Sequence, residues 1–476
     1  MIQDMTRGNP LKLIILFSLP ILIGNLFQQL YQLADIFIVG RLLGENALAA
    51  VGASAPIFFT FLIITISFTS GLTAITAQRF GAKDYAGVRL SVTHSIRASI
   101  ILGVIITIIL LSTLTPMLKI LNIPQTIYDD AYKFILILGL ALTLIVLSNL
   151  LYGFIRALGD SRSPLYFLIF TTIINIIFNF VFIKYFNLGV AGSALGTVIA
   201  IAISVICCLI YIRKNYPILH ITKQDWIYNK DFMYEHLKIA IPMSIQFTIL
   251  SLSMMIIQAI CNSFGEKIIV GFTIALRIEQ LAVQPLLAIG IAVATYVAQN
   301  YGAGKISRIR DGVKKAVIIS FTINIILSLF IYIFGKTLIS SFLESKDEFI
   351  INVGASYLNI SIMFYFFLGS IFIFRNTLQS MGKVKYPIIS VIADLIIRSF
   401  AAIILSKSLD YQGIYYAGPL AWIAGAIIVF IGYYINVYNK NEKEIKKEYR
   451  KIYQKLKKTY WQKIDIVYTN IKSKLL

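Results

Sequence analysis

The chain has 476 residues, of which 58% are hydrophobic and only 14% charged, with a mean hydropathy of +0.80. A water-soluble domain keeps about 25% charged residues, so this composition excludes one. The formal net charge of +21 would suit a nucleic-acid partner, but its distribution along the chain points to membrane topology instead and leaves no nucleic-acid partner to invoke.

A helix needs roughly 20 apolar residues to cross a hydrocarbon core of about 30 Å, and the chain offers twelve such runs. The first six are predicted near residues 13–40, 50–78, 92–115, 132–156, 163–186 and 189–212. Residues 1–10 are polar and the first run lacks a small-residue cleavage site, which predicts a retained helix rather than a signal peptide. Residues 213–235 are polar and are expected to link two lobes, 1–212 and 236–438. The second six helices are predicted near 236–262, 270–299, 314–335, 352–377, 386–407 and 413–438. Beyond them, residues 439–476 interleave lysines with Ile445, Tyr449, Ile452, Tyr453, Leu456, Tyr460 and Trp461. That spacing predicts a basic amphipathic tail lying on an anionic cytoplasmic leaflet, with a disordered or partner-binding tail as the alternative.

Of the 43 Lys and Arg residues, 20 fall at the N-terminus and in the even-numbered loops against 8 in the odd-numbered loops. The positive-inside rule therefore predicts that both termini are cytoplasmic, in a multi-pass protein of the plasma membrane. Cys207, Cys208 and Cys261 lie in apolar runs without metal-ligand spacing, so buried thiols are expected, with no disulfide and no transition-metal site. The three histidines, His94, His220 and His236, are placed near loops. No phosphate-binding loop or nucleophile arrangement accompanies them, which argues against an enzyme and against a bound cofactor.

The two halves repeat. Pro20, Gly44-Glu45 and Gln78-Arg79-Phe80-Gly81-Ala82 return as Pro242, Gly265-Glu266 and Gln299-Asn300-Tyr301-Gly302-Ala303, 221 to 222 positions later. Arg156-Ala157-Leu158-Gly159 with Pro164 is echoed by Gln379-Ser380-Met381-Gly382 with Pro387, 223 positions on. Each unit holds six helices, an even number, so both enter the membrane in the same direction. The fold class expected is all-α and polytopic, with twelve transmembrane helices as two six-helix bundles related by a parallel internal repeat. Transporters of that kind place their site at the repeat interface near mid-membrane.

Ionisable groups inside spans cost about 2.5–3.5 kcal/mol on insertion scales and ask for a functional reason. Asp35 is the leading one, because Asn25, Gln28, Gln32 and Asp35 follow helical spacing and line one face of helix 1. It is suited to loading a proton or holding Na⁺. Asn175 with Asn179, and Ser193 with Thr197, are each four apart and offer oxygens of the kind a hard cation accepts; ordinary interhelical hydrogen bonding explains them equally well. Asp394 and Arg398 are four apart and expected to pair. Arg277, Gln280 and Gln284 are read as one polar face beside a kink at Pro285, with Glu279 pointing elsewhere. These residues, with Gln28 and Gln32, are candidates for substrate contact or second-lobe coupling. Arg97 is expected to snorkel to the interface.

Several stretches resemble the multidrug and toxic compound extrusion (MATE) family: Leu19-Pro20 through Asp35-Ile36-Phe37-Ile38-Val39-Gly40, Gln78-Arg79-Phe80-Gly81-Ala82-Lys83-Asp84, and Gly189-Val190-Ala191-Gly192-Ser193-Ala194-Leu195-Gly196-Thr197. Arg277-Ile278-Glu279-Gln280-Leu281 and Gln299-Asn300-Tyr301-Gly302-Ala303-Gly304 extend the likeness over roughly residues 5–438. The resemblance implies a two-lobed antiporter that exports drug-like cationic small molecules in exchange for Na⁺ or H⁺. It carries the first-lobe ion site to Asp35, Asn175, Asn179 and Thr197, with Ser193 nearby. Asn179 stands where many members have Asp, which lowers the local negative charge. One branch of the family also carries an acidic pair in helices 7 and 10, where this chain has Ser251 and a position near Leu368; the chain resembles the branch coupled through the first lobe. The expected function is therefore a secondary active multidrug exporter, a monomer among membrane lipids. A flippase for lipid-linked saccharides or other lipids and a non-transporting membrane receptor or scaffold are the rival readings.

Overall fold

The computed structural model describes residues 2–343, 346–447, 449, 450 and 454. Fifteen α-helices carry the fold, with no strand among the described residues. The first half comprises α1 (Pro10–Leu43), α2 (Glu45–Gly81), α3 (Tyr85–Ile120), α4 (Gln125–Leu140), α5 (Leu142–Ala157), α6 (Arg162–Lys184) and α7 (Gly189–Asn215). The second comprises α8 (Lys230–Asn262), α9 (Glu266–Ala282), α10 (Gln284–Gly302), α11 (Ile306–Ser340), α12 (Glu348–Ile362), α13 (Tyr365–Ser380), α14 (Lys385–Leu409) and α15 (Gly413–Tyr433). Their starts follow local chemistry. Asn9 accepts from Leu11 N ahead of Pro10, Asp84 from Gly87 N and Asn229 from Phe232 N, which satisfies donors that a helix start leaves open.

Nine helical stretches among the described residues are long and apolar enough to cross a membrane, and two bent pairs raise the number to eleven. One of the nine, Lys385–Tyr438, is 54 residues long, far beyond one bilayer at 1.5 Å per residue. It turns back at Asp410 and Gly413, where the backbone of Leu405 lies within 2.3 Å of a Cβ built on Gly413. Counted as two packed helices, α14 and α15, it completes twelve spans.

Two expected single helices are broken. Span 4 divides into α4 and α5 with a 50° bend, and span 10 into α12 and α13 with a 52° bend. Neither break holds a proline. A break inside a bilayer needs its freed carbonyls satisfied, and the neighbouring helix does this in both halves. Thr107 Oγ1 of α3 donates to the Gly139 carbonyl at 3.3 Å. Ser328 Oγ of α11 donates to the Ile362 carbonyl at 3.1 Å, and Asn324 Nδ2 to the Tyr365 carbonyl at 3.2 Å. Thr107 and Ser328 are 221 positions apart, so the repeat extends to the breaks themselves. Span 8 is interrupted at Val283, two residues before Pro285.

The repeated Gln-x-x-Gly motifs end α2 and α10, and there the halves meet. A Cβ on Gly81 would lie 1.9 Å from the Gln299 carbonyl oxygen, and one on Gly302 would lie 1.8 Å from that of Gln78. The two backbones touch because both residues lack a side chain. Gln78 Nε2 then donates to the Ser380 carbonyl at 2.7 Å, and Gln299 Nε2 to that of Ala157 at 2.9 Å, each reaching into the opposite half. The start of α1 also crosses over. Leu13, Ile14, Phe17 and Ile21 join the hydrophobic core of the second half, whereas the core from Val39 to Ala194 contains first-half residues alone. The halves are thus joined at the end that carries the N-terminal segment.

The polar link is folded on α3: Thr93 Oγ1 donates to the Asp225 carbonyl at 2.7 Å, Arg89 pairs with Asp225 at 3.2 Å, and Arg97 stacks over Trp226. His94 and His236, expected near loops, lie in the first few turns of α3 and α8 and are fully buried. In the tail, residues 442–447 are helical; the expected membrane-surface helix falls mostly outside the described residues.

Candidate functional site

Asp35 sits in the last third of α1 and closes a ring of side chains with α6 and α7. Its Oδ1 accepts from Asn179 Nδ2 at 2.5 Å and from Ser193 Oγ at 3.1 Å. Asn179 Nδ2 also donates to Asn175 Oδ1 at 3.1 Å, Asn175 Nδ2 to Thr197 Oγ1 at 2.9 Å, and Thr197 Oγ1 to the Ser193 carbonyl at 3.1 Å. The five residues singled out in the first half are therefore one cluster. Each pair four apart presents both members to the same side, as helical geometry requires.

Close approach of α6 and α7 depends on Gly192 and Gly196, one turn apart on α7. A Cβ on Gly196 would fall 2.1 Å from Asn179 Oδ1, and one on Gly192 3.2 Å from the Phe182 backbone. Asn175, Asn179 and Ser193 are buried, while Asp35 and Thr197 are half-buried. Asp35 Oδ2 has no hydrogen-bond partner among the described residues, and Asn179 Oδ1 is buried without one. A buried acceptor without a donor is destabilising by about 1–3 kcal/mol. Carboxylate, amide and hydroxyl oxygens gathered in this way suit a proton or a small hard cation.

The expected polar face of helix 1 is only partly used. Gln28 is half-buried and Gln32 exposed, and neither forms a hydrogen bond among the described residues. Tyr31 joins instead, with its Oη 3.4 Å from Thr197 Oγ1. Its position four residues before Asp35 was the signal available in the sequence.

In the second half, Arg398 holds Asp394 through Nε at 3.0 Å and Nη2 at 2.7 Å, and Ser253 Oγ donates to the same carboxylate at 3.2 Å. The predicted single face of Arg277, Gln280 and Gln284 does not form. Arg277 and Gln280 are exposed, whereas Gln284 begins a new helix after Val283 and is buried. Glu279 is also buried and accepts from Tyr357 Oη at 2.5 Å. Arg375, which the sequence reading did not single out, is buried between the rings of Phe247 and Phe372, 5.8 and 5.3 Å from their centroids. Ion-pair spacing gives no hint of such a residue, because its partners are aromatic.

A family model, MatE, matches residues 20–181 and again 242–404. The chain is 28% identical to the probable multidrug resistance protein YoeA of Bacillus subtilis over 90% of its own length and 94% of that protein. It is 22% identical to the multidrug export protein MepA of Staphylococcus aureus over 87% and 92%. Among solved structures, a MATE family transporter in an outward-facing conformation superposes with a TM-score of 0.85 at 24% identity, covering 92% of this chain and 98% of that one. A MATE structure in a bent conformation gives 0.86 at 24% identity, covering 93% and 98%. At such identity the structural likeness speaks to fold alone.

Proposed function

Because the chain belongs to the MatE family, whose pattern recurs in both of its halves, we propose that it is a multidrug efflux transporter exporting drug-like organic cations in exchange for Na⁺ or H⁺. Its relatives carry multidrug resistance and multidrug export names, and the ring around Asp35 supports ion coupling through the first half. It moves solutes and performs no covalent chemistry. Lysine and arginine distribution supports a plasma-membrane protein with both termini in the cytoplasm, where the joined end of the halves would then face inward. We read it as a monomer in contact with lipid and small-molecule substrates.

The mechanism follows from one carboxylate with a free oxygen on a helix that bridges the halves. A proton or Na⁺ at Asp35 removes a negative charge from the α1, α6 and α7 contact, and this changes how tightly α1 packs there. An ion shifts the equilibrium between outward-open and inward-open states only by its difference in affinity for the two; a 100-fold difference corresponds to about 2.7 kcal/mol. The test is ethidium-like dye uptake into inside-out vesicles, with Na⁺ and pH gradients varied independently. Dye movement driven by one gradient, and lost in Asp35→Asn protein that still melts cooperatively, is expected. Undiminished ion-driven transport by Asp35→Asn would sink the assignment, and dye movement under neither gradient would favour a flippase or a scaffold.

A further inference from the structure

We propose that Glu279 is a separate proton-binding site inside the second half, accommodated by a cage of hydroxyls and by the neighbouring Asp394–Arg398 pair. Five helices build it. Glu279 stands on α9, and Tyr357 of α12 donates to its Oε2 at 2.5 Å. Ser361 lies beside Tyr357 on the same helix, and Tyr365 of α13 lies within electrostatic range of Glu279. Asp394 and Arg398 come from α14, and Arg398 acts on Glu279 from there. Trp422 of α15 packs on Tyr365 and on the Arg398 guanidinium, at 6.0 Å from each.

The bonding around Glu279 points to a proton. Arg398 is already held by both oxygens of Asp394, and the charge of Arg375 acts on Asp394, so neither guanidinium is bonded to Glu279. A charged Glu279 would be a buried carboxylate whose one hydrogen bond comes from a neutral hydroxyl, which is strongly destabilising in a low-dielectric interior. One bound proton removes that charge.

Hydrogen bonding points the same way. Glu279 Oε1, Ser361 Oγ and Tyr365 Oη are all buried without partners. A proton on Oε1 supplies a donor where the cage offers hydroxyl acceptors, while Oε2 keeps the bond from Tyr357. The proton is taken from water onto the carboxylate, with no other bond made or broken.

No other ionisable group competes at this spot. Tyr415 of α15 stacks near Tyr357 but turns its hydroxyl to the Val353 carbonyl at 3.0 Å. α8 contributes Ser253, which serves Asp394. α13 contributes Arg375, whose charge acts on Asp394. The acidic and basic residues of α11 lie in its outer thirds, and α10 carries none. Deprotonation of Glu279 would draw Arg398 away from Asp394, so α9 and α14 are the elements that would move.

Trp422 is the native reporter, and the readout requires no transport. In full-length protein in nanodiscs, with Trp226→Phe and Trp461→Phe leaving Trp422 as the one tryptophan, emission is followed from about pH 4 to 9. A single titration is expected, lost entirely in Glu279→Gln, kept with a moved midpoint in Glu279→Asp, and unchanged in Asp35→Asn and on adding Na⁺. A Glu279→Gln protein that titrates like its parent, or a response that Na⁺ reproduces at fixed pH, overturns the proposal. If Glu279→Gln does not melt cooperatively, Glu279→Asp decides, and an unmoved midpoint overturns it. Failure of Asp35→Asn in dye uptake would leave these outcomes untouched, so the two sites are tested separately.

Discussion

One methyl group at position 196 would strike Asn179 Oδ1 at 2.1 Å, and Asn179 is the side chain that bonds Asp35. Gly196→Ala is therefore expected to push α6 and α7 apart locally and to abolish ion-driven dye uptake while the protein still melts cooperatively. Unchanged uptake would show that the ring tolerates a looser geometry. A second residue-scale prediction concerns Asp160, in the connection between α5 and α6. Burial opposes its charge, yet Tyr216 Oη at 2.6 Å and the Ser163 hydroxyl and amide at 2.8 and 3.0 Å hold it below the ordinary carboxylate range. A carboxylate with a lowered folded-state pKa stabilises above its unfolded value and loses that contribution as pH falls through the folded one. Melting temperature should accordingly drop below about pH 4. Asp160→Ala should flatten that acid limb and lower stability at neutral pH by about 2 kcal/mol, as read by thermal melting in detergent. Of these groups, Asp35 and its two pairs four apart were legible in sequence, because helical periodicity is local. Tyr357, 78 positions from Glu279, was not, because nothing local connects them.

At the scale of elements, a proline inside a helix proved a weak guide to where the chain breaks. α1, α2, α3, α8 and α15 each contain a proline and continue through it, while spans 4 and 10 break without one. What accompanies each break is a hydroxyl or amide on a neighbouring helix that donates to a carbonyl beside it. Ser328→Ala should therefore lower stability by about 1 kcal/mol with little effect at other serines of α11, measured by unfolding of purified protein. The N-terminal segment shows the same dependence on neighbours. Gln3 N donates to the Leu158 carbonyl of the first half at 3.2 Å, and Met5 N to Gln299 Oε1 of the second at 2.8 Å. Lys305 Nζ and Arg308 Nη1 hold the carbonyls of Thr6 and Gly8 at 2.7 and 3.0 Å. Residues 3–8 thus act as a strap across the joined end. Removing residues 2–8 should raise the inward-open population, seen as greater labelling of a cysteine placed at Ala298. Labelling equal to that of the full chain would show that the strap holds nothing.

For the whole molecule, two crossed helix ends carry the closure. Gly81 and Gly302 allow backbone contact, and Gln78 and Gln299 each reach a carbonyl of the opposite half. Gly81→Leu combined with Gly302→Leu cannot keep that contact, so the joined end should open. Spin labels across it should show a distance increase of several ångströms, the order of one leucine side chain on each helix; an unchanged distance would mean that the contact is incidental. The sequence by itself determined the number of spans and the duplication, because bilayer thickness fixes run length and a repeat is a property of order along the chain. It also placed the residues of the first-half ring on common helix faces. Tertiary structure alone decided which of those faces meet, where spans 4 and 10 break, why the Gln-x-x-Gly motif is repeated, and that Glu279 is enclosed by tyrosines. Each of these depends on a partner in another helix, and a bilayer that leaves no water to satisfy a backbone or a charge makes that partner decisive.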